Sequence, residues 1–276
     1  MRIISRYIAR FLIAFLALTV VTLTALSFLP PPILRQLVLW SQALASPPEA
    51  TPPPPTIIAP RGEMPTAKVG LTEWAQFEGS SFEPRGSGFL LRLSNGEVIG
   101  VTTAHSVGDL RQPDNTLAQL ALGEPDQPAF VIQGDTLYGE PGLPRAGDDL
   151  TVDWLLLKVE PAQPIDRSLI LTPDPRGGPQ PGERVKLYSG SGARDAFGGV
   201  VQSVDVNGIW ALMDDAFDAG GMSGSPLLSQ HTGQVVGMAV AVDYSRSRVR
   251  IGFHPIGSIV EKAEAAVKFP RIHEYP

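Results

Sequence analysis

Two Asn-Gly pairs constrain the fold of this chain more than any other feature. Asn95-Gly96 sits inside Ser94–Glu97, between the apolar runs Leu90–Leu93 and Val98–Thr103. Asn207-Gly208 sits between Val200–Val206 and Ile209–Met213. Asn-Gly supplies the positive-φ residues of a tight turn, so each pair predicts an antiparallel hairpin. Trp154–Val159, Arg184–Tyr188, Gln234–Val242 and Arg248–Phe253 read as further strands. Gly (28) and Pro (27) make up about a fifth of the 276 residues, which suits many turns and disfavours a helical bundle. One helix is expected near the end. Ser258 would cap it, with Glu261 completing a capping box, and Ile259, Val260, Ala263, Ala266 and Val267 would share one face. From about Met64 the chain therefore predicts an all-β body of barrels or a sandwich, closed by a terminal helix.

A different pattern precedes that body. Phe11–Leu29 is an uncharged run of 19 residues, followed by Pro30, Pro31 and Pro32. As a helix it spans ~28 Å, close to a bilayer core. Arg2, Arg6 and Arg10 before it and Arg35 after it predict a cytoplasmic N-terminus and an exported body. The competing reading is a cleaved signal peptide, with Ala43-Leu44-Ala45 as the small-residue site, which also exports the body. Ile33–Trp40 is a candidate interfacial stretch. Residues 47–60 (PPEATPPPPTIIAP) read as a semi-rigid, extended spacer. The expected organisation is 1–32 as cytoplasmic N-terminus and transmembrane anchor, 33–63 as Pro-rich linker, 64–270 as the globular domain and 271–276 as a tail.

Several functions are excluded early. There are no cysteines, which removes a disulfide framework and any Cys-ligated metal centre. Four histidines offer little for metal chemistry, and neither metal nor organic cofactor is expected. The net charge is −6, and because residues 1–60 carry +3, the remainder carries −9. An acidic body without a basic field is not a nucleic-acid partner.

Three segments carry chemistry. In GSGF (Gly86–Phe89) and VTTAHS (Val101–Ser106), an apolar strand ends at His105. In DWLLLKV, Asp153 directly precedes an apolar strand and, if buried, needs a partner such as an imidazole N–H. Asp148 and Asp149 are nearby competitors. In DAGGMSGSP (Asp218–Pro226), Ser223 lies among Gly220, Gly221 and Gly224, whose freedom lets backbone N–H groups converge on an anion. Taken singly, each has a bland reading: a structural histidine, a strand-start turn residue, a flexible loop. Together they supply a hydroxyl, the base it needs and a carboxylate to orient that base. The chain order is His, Asp, Ser, with separations of 48 and 70 residues.

TTAHS, DWLLLKV and GMSGSP resemble the three catalytic blocks of the chymotrypsin-like (trypsin-fold) serine proteases, nearest the bacterial Deg/HtrA-type and glutamyl-endopeptidase-type branch and without a PDZ domain. The likeness covers roughly residues 80–265. It implies two six-stranded antiparallel β-barrels with the site in the cleft between them. By position it implies His105 as general base, Asp153 as its orienter and Ser223 as nucleophile, with the N–H groups of Gly221 and Ser223 as oxyanion hole. Protein or peptide substrates follow from the same resemblance.

The departures are specific. Met222 stands where the digestive proteases have an Asp that pairs with a new N-terminus, so that activation route is absent. Ser225 replaces the second glycine of the GSGGP form. Phe217, six residues before Ser223, matches the base of the primary specificity pocket and disfavours a Lys or Arg preference. Met238 and Ala239 occupy the strand where the acid-specific branch has a His, which counts against Glu specificity. Val240 on that strand and His254 on the next complete the candidate pocket. The main expectation is a membrane-anchored extracytoplasmic serine endopeptidase. The alternatives are a protease-like peptide-binding protein with a misordered Met222 loop, and an esterase on the same scaffold.

Overall fold

The computed structural model describes residues 51–125, 130–145, 147–160, 164–191, 194–244 and 249–275. The apolar run Phe11–Leu29, its flanking arginines, the Ala43-Leu44-Ala45 site and the Ile33–Trp40 stretch lie outside these residues. Among the described residues no helix is long and apolar enough to cross a membrane.

The first half contains β1 (Leu71–Phe77), β2 (Glu83–Arg92), β3 (Val98–Thr102), β4 (Leu117–Gly123), β5 (Phe130–Gly134), β6 (Leu155–Lys158) and β7 (Ile170–Leu171). Their order in the sheet is β5-β4-β1-β2-β3-β6, with β7 parallel to β2. The second half is a closed barrel, β10-β13-β12-β11-β8-β9, built from β8 (Arg184–Tyr188), β9 (Ala196–Asp205), β10 (Gly208–Met213), β11 (Pro226–Ser229), β12 (Val235–Asp243) and β13 (Arg250–Pro255). The expected pair of closed barrels is therefore corrected to one closed barrel and one open, curved sheet. Beyond β5 the chain is shared between two neighbours: Leu137 donates to Pro270 (2.9 Å) and Ile272 donates to Asp135 (2.7 Å) on the tail side, while Tyr138 donates to Leu156 (2.8 Å) and Lys158 donates to Thr136 (3.0 Å) on the β6 side. Among the described residues the two edges are joined by the isolated bridge Leu137↔Leu157 alone.

Both Asn-Gly hairpins form. Leu93 N–H reaches the Glu97 carbonyl (2.8 Å) across the first, where Gly96 has φ +87°. The second connects β9 to β10, with Gly208↔Asp205 as its first pair. The helix α1 spans Ile256–Glu264, one turn earlier at its start than a Ser258 cap would place it. Pro255 precedes it without a side-chain cap bond, and Ser258 lies inside it, accepting from Lys262 Nζ (2.8 Å). Burying Ile256, Ile259 and Ala263 sets the helix face, and Val267 stays exposed beyond its end.

Three apolar clusters hold these parts. One fills the first sheet around Leu90, Leu120, Leu122, Leu155 and Leu157. One fills the barrel around Val185, Phe197, Leu227, Val236 and Phe253. The third spans both halves, joining Phe89, Leu91 and Val101 to Leu228, Met238 and the helix residues Ile256 and Ile259. That shared cluster fixes the halves against each other.

The described part of the Pro-rich segment does not stand clear of the body. A Cβ on Gly182 would fall 1.9 Å from the Pro53 carbonyl oxygen, and one on Gly233 would fall 2.1 Å from that of Glu63. His231 Nε2–H donates to the Ala59 carbonyl (2.7 Å), and Gly62 N–H donates to that of His231 (2.9 Å). Residues 53–63 are thus strapped along the closed barrel.

Candidate active site

Strand pairing brings His105 and Asp153 together. β3 and β6 are antiparallel neighbours with Thr102 opposite Leu155, so the residues just past one and just before the other share a strand end. His105 Nδ1 lies 2.6 Å from Asp153 Oδ2, and His105 Nε2 lies 2.8 Å from Ser223 Oγ. Asp153 is fully buried, and its carboxyl is fully occupied. Oδ1 accepts from the backbone N–H of Ala104 (2.8 Å) and His105 (3.1 Å); Oδ2 accepts from His105 Nδ1 and from Arg145 N–H (3.1 Å). With Nδ1 donating, Nε2 presents a lone pair to the Ser223 hydroxyl. Asp148 and Asp149 take no part in this group.

The loop before Ser223 is shaped by its carbonyls. Gly220 C=O accepts from Ser191 Oγ (3.3 Å), and Met222 C=O accepts from Ser225 N–H (2.9 Å). A trans peptide points its N–H away from its C=O. Tying those two carbonyls therefore leaves the N–H groups of Gly221 and Ser223 on the opposite side, with no acceptor among the described residues. Gly221 sits at φ +75°, where its Cβ would also press on Ser191 Oγ at 2.9 Å. Met222 is buried in the barrel cluster with Phe217 and Leu227, so an apolar anchor holds this loop where an ion pair is missing.

GSGF acts as a clamp between the halves. Ser87 N–H donates to Ser223 C=O (2.7 Å) and Ser87 Oγ donates to Gly221 C=O (2.8 Å). The fit is close: a Cβ on Gly86 would lie 3.0 Å from the Ser223 carbonyl oxygen, and one on Gly224, at φ +90°, only 1.8 Å from that of Ser87.

A cavity of about 380 Å³ opens beside His105 and Ser223. Its apolar wall comes from Ala219, Met222, the β12 residues 239–242 and Ile251. Val240 lies in that wall, but the other two expected pocket residues do not. Phe217 turns into the barrel core, stacked on Phe197 with ring centroids 3.9 Å apart. His254 is fully buried with Nδ1 3.5 Å from the Asp153 carbonyl oxygen and Nε2 unpartnered. Strand alternation explains this: Ile251 and Phe253 face into the barrel, so His254 faces the other way. Burial pulls its pKa down to about 4.

Sequence reasoning missed Glu73. It lies on β1, fully buried, with Oε1 2.8 Å from Ser106 Oγ and Oε2 2.7 Å from Thr102 Oγ1. Each hydroxyl also contacts a backbone carbonyl, Ser106 that of Thr103 (2.7 Å) and Thr102 that of Ser87 (2.8 Å). Four short oxygen–oxygen contacts thus share two hydroxyl hydrogens, and a proton on Glu73 supplies a third. Burial, the largest cause, raises its pKa to about 7 against the two hydrogen bonds and His105; Asp153 adds to the rise. The available signal was a lone carboxylate inside LTEWAQF, a stretch that alternation alone marks poorly. Among the described residues no group of three or more His, Cys, Asp or Glu is placed to hold a metal ion.

No family model matches the sequence, and no curated protein matches it. Solved structures do match. Human heparin binding protein aligns at TM-score 0.51 and 14% identity over 77% of this chain and 96% of that one. Kallikrein-related peptidase 10 in complex with Zn2+ aligns at 0.49 and 18%, over 74% and 96%. Deg5 aligns at 0.46 and 16%, over 84% and 94%, a likeness that does not decide a branch. The chain has the chymotrypsin-like, trypsin-type fold.

Proposed function

We propose that this chain, on its trypsin-type fold, is a serine endopeptidase acting through His105, Asp153 and Ser223. The observation that carries the reading is the continuous relay Asp153 Oδ2–His105 Nδ1 (2.6 Å) and His105 Nε2–Ser223 Oγ (2.8 Å). In this mechanism Ser223 Oγ attacks a peptide carbonyl carbon while His105 Nε2 takes the hydroxyl proton. The developing oxyanion is stabilised by the N–H groups of Gly221 and Ser223. His105 returns the proton to the departing amine, leaving an ester on Ser223. Water, deprotonated by His105, attacks that ester; the acid product leaves and Ser223 recovers its proton. Asp153 keeps the imidazole in the Nδ1–H form throughout.

The location belongs to the same proposal. The Phe11–Leu29 run and its arginines make the protein a single-pass membrane protein with an extracytoplasmic protease body. Exported proteins or peptides are then its substrates. The packing of Met222 supports a peptidase over a peptide-binding relative, because the loop has an anchor of its own. The test is a labelled fluorophosphonate, which phosphonylates only an activated serine. The full-length chain is expected to label, and Ser223→Ala and His105→Ala are expected not to. A folded wild-type chain that stays unlabelled refutes the reading.

A further inference from the structure

The cavity beside Ser223 combines an apolar wall with three polar side chains, His105, Ser223 and Arg145. The apolar wall is alanine, valine, isoleucine and methionine, and the single arginine or lysine lining the cavity among the described residues is Arg145. The backbone of this residue is fixed, because its N–H donates to Asp153 Oδ2 (3.1 Å). Its side chain is not satisfied. Nε is buried without a hydrogen-bond partner. The guanidinium also forms no ion pair among the described residues, in a body that carries a net negative charge. Other largely buried arginines show the usual arrangement: Arg176 is bonded to both Asp174 and Glu183, and Arg250 to Gln202 and Asp243.

A desolvated donor without an acceptor is costly and is uncommon unless a ligand supplies the acceptor. The geometry points to a ligand carboxylate. A guanidinium presents parallel N–H groups that match two carboxylate oxygens, and apolar walls strengthen that pairing by excluding water. Side chains on the acyl side of the scissile bond are the groups delivered here, because the cavity opens at Ser223 and His105.

We propose that Arg145 is a specificity residue that selects substrates with a glutamate or aspartate at one of the two positions on the acyl side of the cleaved bond. This rests on the peptidase reading and names its substrate class. It also replaces the sequence-based expectation against acidic specificity: that expectation looked for a histidine on β12, whereas the cation comes from the loop between β5 and β6.

The test uses peptidyl phosphonates that differ only in glutamate against glutamine at each of these two positions. A small uncharged fluorophosphonate serves as reference on the same full-length chain. The readout is the ratio of Ser223 labelling rates, which cancels any general loss of reactivity in a variant. Wild type is expected to favour glutamate at least tenfold at one position. Arg145→Gln should bring the ratio near one, Arg145→Lys should retain part of it, and Arg145→Glu should invert it. Labelling by the reference with no glutamate preference, or a preference that survives Arg145→Gln, overturns the Arg145 assignment alone. A folded chain that the reference also fails to label overturns the peptidase reading and this assignment together.

Discussion

Replacing Glu73 by glutamine should make the protein's stability less sensitive to alkali. In the folded chain Glu73 holds its proton up to a pKa of about 7, against 4.5 for the ordinary side chain. Between those values the folded state keeps a proton that the unfolded state has lost, so stability falls as pH rises. The contribution is fully present below about pH 4.5 and lost as pH rises through 7. Each unit of difference is worth about 1.4 kcal/mol, so the whole window is worth roughly 3 kcal/mol. Glutamine keeps the shape and offers one donor and one acceptor to Ser106 and Thr102, yet has nothing to ionise. The assay is urea unfolding of Ser223→Ala and of Glu73→Gln/Ser223→Ala, a background that removes self-cleavage, at half-unit steps from pH 4.5 to 8.5. The stability difference should move by about 3 kcal/mol in favour of the glutamine chain between the two ends, with unchanged denaturant slopes. A pH-independent difference would refute the neutral-acid account, and so would a shift of opposite sign. The charged groups acting on Glu73 include His105 and Asp153. Both variants retain them, so the comparison isolates one carboxyl.

Other consequences are equally direct. Asp153→Asn puts an amide where Oδ2 now accepts, favours the Nε2–H imidazole, and should slow fluorophosphonate labelling by on the order of 10³–10⁴ with folding retained, as read by labelling kinetics. Met222→Ala removes the apolar anchor of the nucleophile loop and should cost about 2–4 kcal/mol in urea unfolding, as a buried large-to-small change does. Ser191→Ala frees the Gly220 carbonyl; losing about 1 kcal/mol of loop order should lower the labelling rate about fivefold at nearly constant unfolding midpoint. Gly224→Ala forces a Cβ to within 1.8 Å of the Ser87 carbonyl at φ +90°, and soluble expression or thermal unfolding should report a loss of about 3 kcal/mol or more.

What the sequence disclosed and what it hid divide along a physical line. Local signals worked where one short stretch decides the outcome. Asn95-Gly96 and Asn207-Gly208 mark hairpins because each brings a glycine to the positive-φ position of its turn, +87° at Gly96 and +143° at Gly208. His105, Asp153 and Ser223 were legible as a set because each sits at a strand end or among glycines, and their proximity needs only β3 to pair with β6 and the halves to pack. Long-range competition was invisible. Residues 135–138 bond residues 270–272 on one edge and, among the described residues, meet β6 through a single bridge on the other, a pairing that no local pattern encodes. The helix cap shifted from Ser258 to Pro255 because burying Ile256 in the shared cluster outweighs a capping hydroxyl. Phe217 and His254 were misplaced for a similar reason: sequence position locates a residue on a strand or loop, while stacking on Phe197 or the alternation through Phe253 decides which side it faces. Glu73 and Arg145 show the deeper limit. A buried acid and a guanidinium without an ion pair among the described residues are defined by their surroundings, and the partners of Glu73 lie 29 to 33 residues away in sequence. The groups that tune a site around its recognisable motifs are thus fixed by the fold's contacts, and their roles emerge only when each buried donor and acceptor is traced to its partner.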